Sequence, residues 1–425
     1  LNRASSTTRQ PGSTFKIVST YAPALDSAGL TLASVQNDAP FNYDNGRPVS
    51  NWYGGAYKGI CTLRYGIEQS LNIVAVKTLT QITPQLGFDY LQKFGFTTLV
   101  ERRAVTNSVT GKTEIYSDIQ QALALGGITD GVTNMELNAS YATIANGGVY
   151  IQPALYTTIL DHDGNVILDR TNPETRRVLQ ETTAFLLTDA MVDVVTKGTG
   201  RSVNFGNMSI AGKTGTTSSY RDVWFAGYTP YYTATTWTGY DNNEIMHDSA
   251  EKNLSKTMWR AVMSKIHENL PNKEFTKPDG IVTASVCEYS GKLPVAGICT
   301  PHTEYFAEGT VPTETCDAHY AGTVCSVTGL PADPACPFQV PGYVTIPPSV
   351  DGTPSSQQIC PHNAAYYANN PDAFAADSQA ALAAQQQAAV QAAQDAANAA
   401  QAAQDAANAA AAQTTPDTGT PEATQ

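Results

Sequence analysis

Three short polar motifs, held far apart in the chain, set the tightest limit on what it can fold into. Ser13-Thr14-Phe15-Lys16 places a hydroxyl and an amine three residues apart, a spacing that shares one face of a helix. Ser70-Leu71-Asn72 comes next, 57 positions after Ser13, and Lys213-Thr214-Gly215-Thr216 begins 141 positions after Asn72. A serine is a poor nucleophile until a neighbouring base takes its proton. A fold that uses the three motifs together must close both gaps onto one helix. Pro11-Gly12 suits the start of that helix, because proline is at home in a first turn. Helix N-terminal N–H groups also favour negative charge forming at Ser13.

Singly, the elements are weak. Ser249-Ala250-Glu251-Lys252 also spells S-x-x-K, and Ser202-Val203-Asn204 also spells S-x-N. Either one reads equally well as a solvated helix face. K-T-G occurs once. The order S-x-x-K, S-x-N, K-T-G is what carries specificity, and a closely similar trio marks penicillin-binding proteins and serine β-lactamases.

The likeness extends beyond the trio. Asn2-Arg3-Ala4 leading into Arg9-Gln10-Pro11-Gly12-Ser13 resembles the start of the nucleophile helix in class A penicillin-binding proteins. Gly212 through Thr217 and Arg221 through Pro230 resemble the same family, as do Met135-Glu136-Leu137, Ala139 through Ala142 and Ala145 through Gly148. Glu304-Tyr305-Phe306, Gly309-Thr310, Pro312-Thr313 and Cys316 through His319 resemble the following segment in Gram-positive members. The resemblance covers roughly residues 1–320. A small departure is Ile17, where many members carry proline.

That resemblance implies an α/β (α+β) fold with a mostly antiparallel sheet between helical layers. It implies a D,D-transpeptidase on the extracytoplasmic face of the bacterial cell membrane, using D-Ala-D-Ala stem peptides as donors, amines as acceptors, and open to β-lactams. It also implies an upstream glycosyltransferase domain and a membrane anchor. The chain opens with Leu1, twelve residues before Ser13, so it reads as a fragment starting inside the transpeptidase domain. No cofactor and no metal are expected.

Acyl transfer needs a nucleophile, a base, a proton route and an oxyanion site. The resemblance assigns Ser13 as nucleophile and Lys16 as its base. Lys16 must then be neutral, so its ordinary pKa of about 10.4 must drop through burial or a nearby cation, for which Lys213 is a candidate. Ser70 would relay a proton to the leaving amine. Asn72 would bond the substrate's backbone amide, and Lys213, Thr214, Gly215 and Thr216 would hold its carboxylate end. Backbone N–H groups of Ser13 and Thr216 would form the oxyanion hole. Lys213 as an ordinary strand lysine, with Thr214 and Thr216 as ordinary β-formers, is the plainer alternative. Gly212 and Gly215, which bracket the segment and let a substrate backbone approach, argue against it. A β-lactamase or β-lactam sensor with the same site is a further alternative, and an inactive wall-binding module a third. Hydrolysis needs a carboxylate to activate water. Glu68-Gln69-Ser70-Leu71-Asn72 overlaps the second motif, and Asn134 stands where Glu would be in Asn134 through Asn138, so neither segment supplies a separate one.

The 425-residue chain has room for two or three domains. Three segments are expected: residues 1–276 as the transpeptidase domain, 281–370 as a Cys/Pro/Gly-rich accessory module, and 371–425 as an Ala/Gln-rich spacer and disordered tail. The net charge of −13 is uneven: after Lys292 come twelve acids and no Lys or Arg. Such a tail is a poor partner for nucleic acid or anionic lipid. No run of about 18 apolar residues occurs. Six of the seven cysteines fall between Cys287 and Cys360, which suggests disulfides in a small module with little core. Zinc is the alternative, since Cys316 and His319 have ligand-like spacing, but no C-x-x-C pair accompanies them.

Locally, the pattern predicts helices over 13–28, 63–78 (with Ser70 and Asn72 near its middle or at a break) and 256–270. It also predicts a strand over 208–214 and a hairpin pairing 223–228 with 232–240. Asp161 through Asn165 begins like a calcium loop but lacks the later glycine and glutamate. A turn between 155–160 and 166–168 is the better reading. The decamer QAAQDAANAA repeats at 391–400 and 401–410. Its alanines favour helix, while the lack of a large apolar face predicts a solvated spacer.

Overall fold

A helical segment buried on every side forms the axis of the first part of the molecule. The computed structural model describes residues 2–54, 57–108, 110–345 and 359–412; the tail expected at 413–425 lies outside them. Segment α1 runs as a 3-10 turn (Gly12–Thr14), a π-helical stretch (Lys16–Tyr21) and an α-helical turn (Ala22–Asp26). Sequence periodicity gives it one buried face, with Phe15, Ile17, Val18 and Tyr21. In the structure residues 14–24 are all buried, Lys16, Ser19 and Thr20 included. The polar members satisfy themselves locally: Ser19 donates to the Phe15 carbonyl at 2.7 Å and Thr14 to the Pro11 carbonyl at 2.7 Å. Phe15 meets Phe96 edge-on with ring centroids 5.0 Å apart.

Around α1 pack α2 (Leu63–Glu68), α3 (Asn72–Ile82), α4 (Pro84–Lys93), α5 (Asn134–Ala145) and α6 (Glu181–Thr196). The helix expected over 63–78 is broken at residues 69–71. Thr133 and Glu136 start α5 with a reciprocal capping box. An antiparallel sheet of β1 (Ala211–Thr216), β2 (Asp222–Tyr228) and β3 (Thr233–Gly239) completes the body. Its pleat sends alternate residues of β2 to opposite faces. Trp224, Ala226 and Tyr228 join the main core with Leu187 and Met191 of α6. Phe225 turns instead to Trp259 and Met263 of α7 (Ser249–Ile266). The sheet therefore lies between helical layers, as the α/β reading requires. The hairpin of 158–160 with 166–169 closes on Asp161, whose carboxylate accepts from the backbone of Asp163 and Asn165; this is a turn.

The described chain forms two compact units, residues 2–318 and residues 319–345 with 359–412. The first includes the hairpin of β4 (Ile281–Cys287) and β5 (Pro301–Ala307), whose Val286 and Phe306 pack with Ala33. Arg64 of α2 anchors that hairpin. Its guanidinium holds Glu304 through two bonds of 2.7 and 2.6 Å, and reaches Asp189 at 2.6 Å and Asp193 at 2.8 Å on α6. Burial works against this cation, but the hydrogen bonds and charges of Glu304, Asp189 and Asp193 outweigh it and raise its pKa.

The second unit holds the hairpin of β6 (His319–Cys325) and β7 (Gln339–Thr345), then α8 (Ala364–Asn369) and α9 (Ala373–Ala412). The alanine-rich spacer is one helix of 40 residues. Length favours it, because the cost of nucleation is met once while each alanine propagates at little entropy. Among the described residues no helix is long and apolar enough to cross a membrane. The cysteines correct an expectation. None is paired: all seven are free thiols, and six converge in two groups of three, Cys287 with Cys299 and Cys316, and Cys325 with Cys336 and Cys360.

Because Glu304 is 2% exposed, removing Arg64 strands a buried carboxylate. Arg64→Ala is expected to cost about 3–5 kcal/mol, read as a lower urea midpoint of unfolding. A cost below about 1 kcal/mol would show that the cluster behaves like a surface ion pair.

Candidate active site

Ser13 sits on the opening turn of α1, half-buried, while Lys16 begins the π-helical stretch and is fully buried. Wide turns of this kind recur at functional sites. Gly12 adopts φ +56, and a Cβ there would fall 2.7 Å from the carbonyl oxygen and 3.0 Å from the amide nitrogen of Thr216. A Cβ on Gly215 would fall 2.7 Å from the Pro11 carbonyl oxygen. The first motif and the third thus meet backbone to backbone, and both glycines are required by that contact. Trp224 of β2, opposite Gly215, locks it by donating to the Gln10 carbonyl at 2.9 Å.

The second motif enters at the broken helix. Leu71 N–H bonds the Gly66 carbonyl and Ser70 N–H bonds the Ile67 carbonyl, the paired contacts that end a helix on a left-handed residue. Glycine ordinarily takes that place. Here Ser70 does, at φ 54, and the strained turn aims its side chain inward. Lys16 Nζ donates to the Ser70 carbonyl at 2.7 Å, to Ser70 Oγ at 3.2 Å and to Asn72 Oδ1 at 2.6 Å. Lys213 Nζ donates to the same Ser70 Oγ at 2.7 Å. One hydroxyl therefore bridges two buried amines. Having accepted twice, it keeps its own proton to give.

Burial pushes the Lys213 ammonium down to about 7. Lys16 is held well below the usual lysine range, by burial first and by the neighbouring Lys213 charge second. These are the two means by which an amine becomes a base near neutral pH.

Of the residues expected from sequence, Lys16, Ser70, Asn72 and Lys213 share one hydrogen-bond network. Ser13 lies one helical turn from Lys16 at its edge. Thr214 is turned to Thr199, with hydroxyl oxygens 3.0 Å apart, and Thr216 is exposed at the end of β1. Asn72 is more occupied than expected. Beside receiving Lys16, its amide donates to the Ser50 carbonyl at 2.7 Å, and its backbone N–H reaches Asn51 Oδ1 at 2.8 Å. Asn51, Thr199 and Trp224 were not legible as site residues. Trp224 lies within the family-like stretch Arg221 through Pro230, and Thr199 is flanked by glycines in Gly198-Thr199-Gly200: a Cβ on Gly198 would fall 2.2 Å from the Glu68 carbonyl oxygen.

Comparison with known proteins identifies the family. The profile of the penicillin binding protein transpeptidase domain matches residues 1–264. The chain belongs to this transpeptidase family. Residues 277–321 of the penicillin-binding transpeptidase chain match the C-terminal domain of penicillin-binding protein 1A. It is 34% identical over 348 residues to penicillin-binding protein 1A of Clostridium botulinum, covering 77% of this chain and 40% of that protein. The crystal structure of penicillin-binding protein 1A from Haemophilus influenzae is 26% identical with a TM-score of 0.64, over 74% of this chain and 50% of that one. The PonA1 protein of Mycobacterium tuberculosis, solved with penicillin V, shares the fold at 23% identity and a TM-score of 0.56, over 65% of this chain and 74% of that one. The chain thus spans 40% of the length of the clostridial relative.

Two outcomes are expected. Ser70→Gly and Ser70→Ala both remove the bridging hydroxyl, but only glycine fits φ 54 without strain. The glycine variant should be more stable by about 1 kcal/mol in denaturant titrations, with acylation by a β-lactam lost in both. Equal stability would remove the strain argument. Lys213→Ala should move the rising limb of the acylation pH profile to higher pH, because Lys16 loses a neighbouring cation and holds its proton longer. Acylation at pH 7 then falls roughly tenfold for each pH step the limb moves. A limb that stays in place, with only its height reduced, would confine Lys213 to substrate capture.

Proposed function

We propose that this chain carries the acyl-transfer site of a D,D-transpeptidase that cross-links peptidoglycan stem peptides and is acylated by β-lactams. The observation that carries the reading is the bridge from Lys16 through Ser70 Oγ to Lys213, at 3.2 and 2.7 Å, set against the half-buried Ser13. Lys16, once it has lost one of the three protons it donates to Ser70 and Asn72, is a neutral amine whose freed lone pair accepts the Ser13 proton while Ser13 Oγ bonds the carbonyl carbon of the penultimate D-Ala. The oxyanion is received by the N–H groups of Ser13 and Thr216, a kind of donor worth about 10²–10³ in rate. As the C–N bond breaks, Ser70 passes a proton to the leaving D-Ala amine and is refilled by the one Lys16 took from Ser13. An acceptor amine then attacks the ester carbon, gives up its proton along the same path and frees Ser13. Lys213, Thr214, Gly215 and Thr216 hold the carboxylate end. Asn72 combines the binding role expected from sequence with that of holding Lys16.

The upstream glycosyltransferase domain, the membrane anchor and the extracytoplasmic location belong to this proposal, supported by the likeness to penicillin-binding protein 1A. The carboxylates of the two segments weighed for hydrolysis, 68–72 and 134–138, support transfer to an amine instead. Glu68 accepts from Gln69 at 2.7 Å. Glu136 is spent on the α5 cap and on Thr97, 2.9 Å from its backbone N–H.

The test is intact mass and peptide mapping after incubation with benzylpenicillin. One adduct is expected, on Ser13 and absent from Ser13→Ala, and it should persist for minutes or longer. An adduct on Ser249, or rapid multiple-turnover hydrolysis of nitrocefin, would overturn the assignment.

A further inference from the structure

We propose that Cys325, Cys336, Cys360 and His362 bind one zinc ion that holds the second unit together. All four are buried, at 0%, 5%, 2% and 3% exposure. Each offers one ligand atom, and these atoms all lie within 4.8 Å of one another. Zinc–sulfur bonds of about 2.3 Å set tetrahedral ligands about 3.8 Å apart, so the ion fits with little movement. Three thiols and an imidazole are also the donor set of a closed structural zinc site.

The surroundings are built as a ligand shell would be. His362 turns Nδ1 to the Cys325 sulfur, 3.2 Å away, and its Nε2 lies 3.5 Å from Asp377 Oδ2. A carboxylate behind the distal nitrogen is the usual means of orienting a metal-bound histidine. Asp377 is itself held by the Tyr367 hydroxyl at 3.0 Å. The backbone N–H of Asp333 points at the Cys360 sulfur from 3.2 Å.

Two further facts favour an ion. The unit's apolar cluster consists of the three cysteines with partly buried Val327, Leu330, Ala332 and Phe338, and small cores of this kind depend on a metal or a cross-link. No Lys or Arg follows Lys292, so no permanently charged side-chain cation after that residue is available to offset three thiolates. The arrangement is also written twice in the sequence. Cys287-Glu288-Tyr289-Ser290-Gly291-Lys292-Leu293-Pro294 leads to Cys299, and Cys325-Ser326-Val327-Thr328-Gly329-Leu330-Pro331 leads to Cys336. Each first cysteine ends a strand and enters the same turn. Gly291 N–H bonds the Cys287 carbonyl at 2.9 Å, and Gly329 N–H bonds the Cys325 carbonyl at 2.8 Å. A third cysteine followed by histidine closes both copies, Cys316 with His319 and Cys360 with His362. Two insertions of one turn with the same four residue types in the same order argue for a shared ligand rather than for chance packing.

The experiment uses the full chain, isolated in zinc-containing buffer without reductant or chelator. Zinc per chain is counted by plasma mass spectrometry, and thiolate ligation is read from the near-ultraviolet charge-transfer absorption after cobalt replacement. The Cys336→Ser, His362→Ala double variant should hold one zinc fewer per chain and lose the matching share of the cobalt signal. Penicillin labelling of Ser13 should be unchanged in it. Asp377→Asn keeps all four ligands and should bind zinc about 10–100-fold more weakly. Equal zinc content in wild type and double variant would overturn the proposal. So would a disulfide joining any two of Cys325, Cys336 and Cys360 on non-reducing peptide mapping.

Discussion

Two lysine side chains withdrawn from water, bridged by one serine hydroxyl, are the constraint around which the first unit is organised. Burying an ammonium is costly unless it gives up its proton or finds acceptors. Lys16 and Lys213 find acceptors, sharing Ser70, while burial lowers their pKa values. The surrounding features follow from that arrangement. Segment α1 must be enclosed on all sides, Ser70 must take a left-handed turn that glycine would adopt more easily, and Gly12 and Gly215 must yield their side-chain space to opposing backbone.

Carboxylates of the first unit are given structural work. Glu136 caps a helix, and Asp189, Asp193 and Glu304 converge on Arg64. Asp38, fully buried, accepts from Asn51 and Tyr53 and so steadies the loop that supplies Asn51 and Ser50 to Asn72. That engagement fits the proposed transfer of an acyl group to an amine better than activation of water. The same Arg64 cluster ties the hairpin after the transpeptidase segment to the catalytic body, so that hairpin is part of one hydrophobic and ionic framework.

The second unit obeys a different economy. It has little apolar surface to bury, a long alanine-rich helix that is exposed over most of residues 373–401, and a sulfur-rich centre. Its cohesion is concentrated in four side chains, whereas the first unit spreads cohesion over a large core.

Much of this was legible in the sequence because it depends on near neighbours. The trio of motifs, their order, the helix of 13–28, the 223–240 hairpin and the turn at Asp161 follow from spacing, periodicity and turn chemistry. What the sequence could not state are relations between distant segments. Whether Lys16 reaches Ser70 or Ser13, how far burial lowers its pKa, and that Asn72 is already engaged by Ser50 are set by contacts across tens of residues. The break at Ser70 required seeing the α2 carbonyls that its turn satisfies. Clustered cysteines suggested cross-links because pairing is the commoner fate of cysteines in a small module. Only the fold gathered them three at a time, and set Cys325, Cys336 and Cys360 beside His362, since side-chain convergence depends on where strands end and not on the number of residues between them.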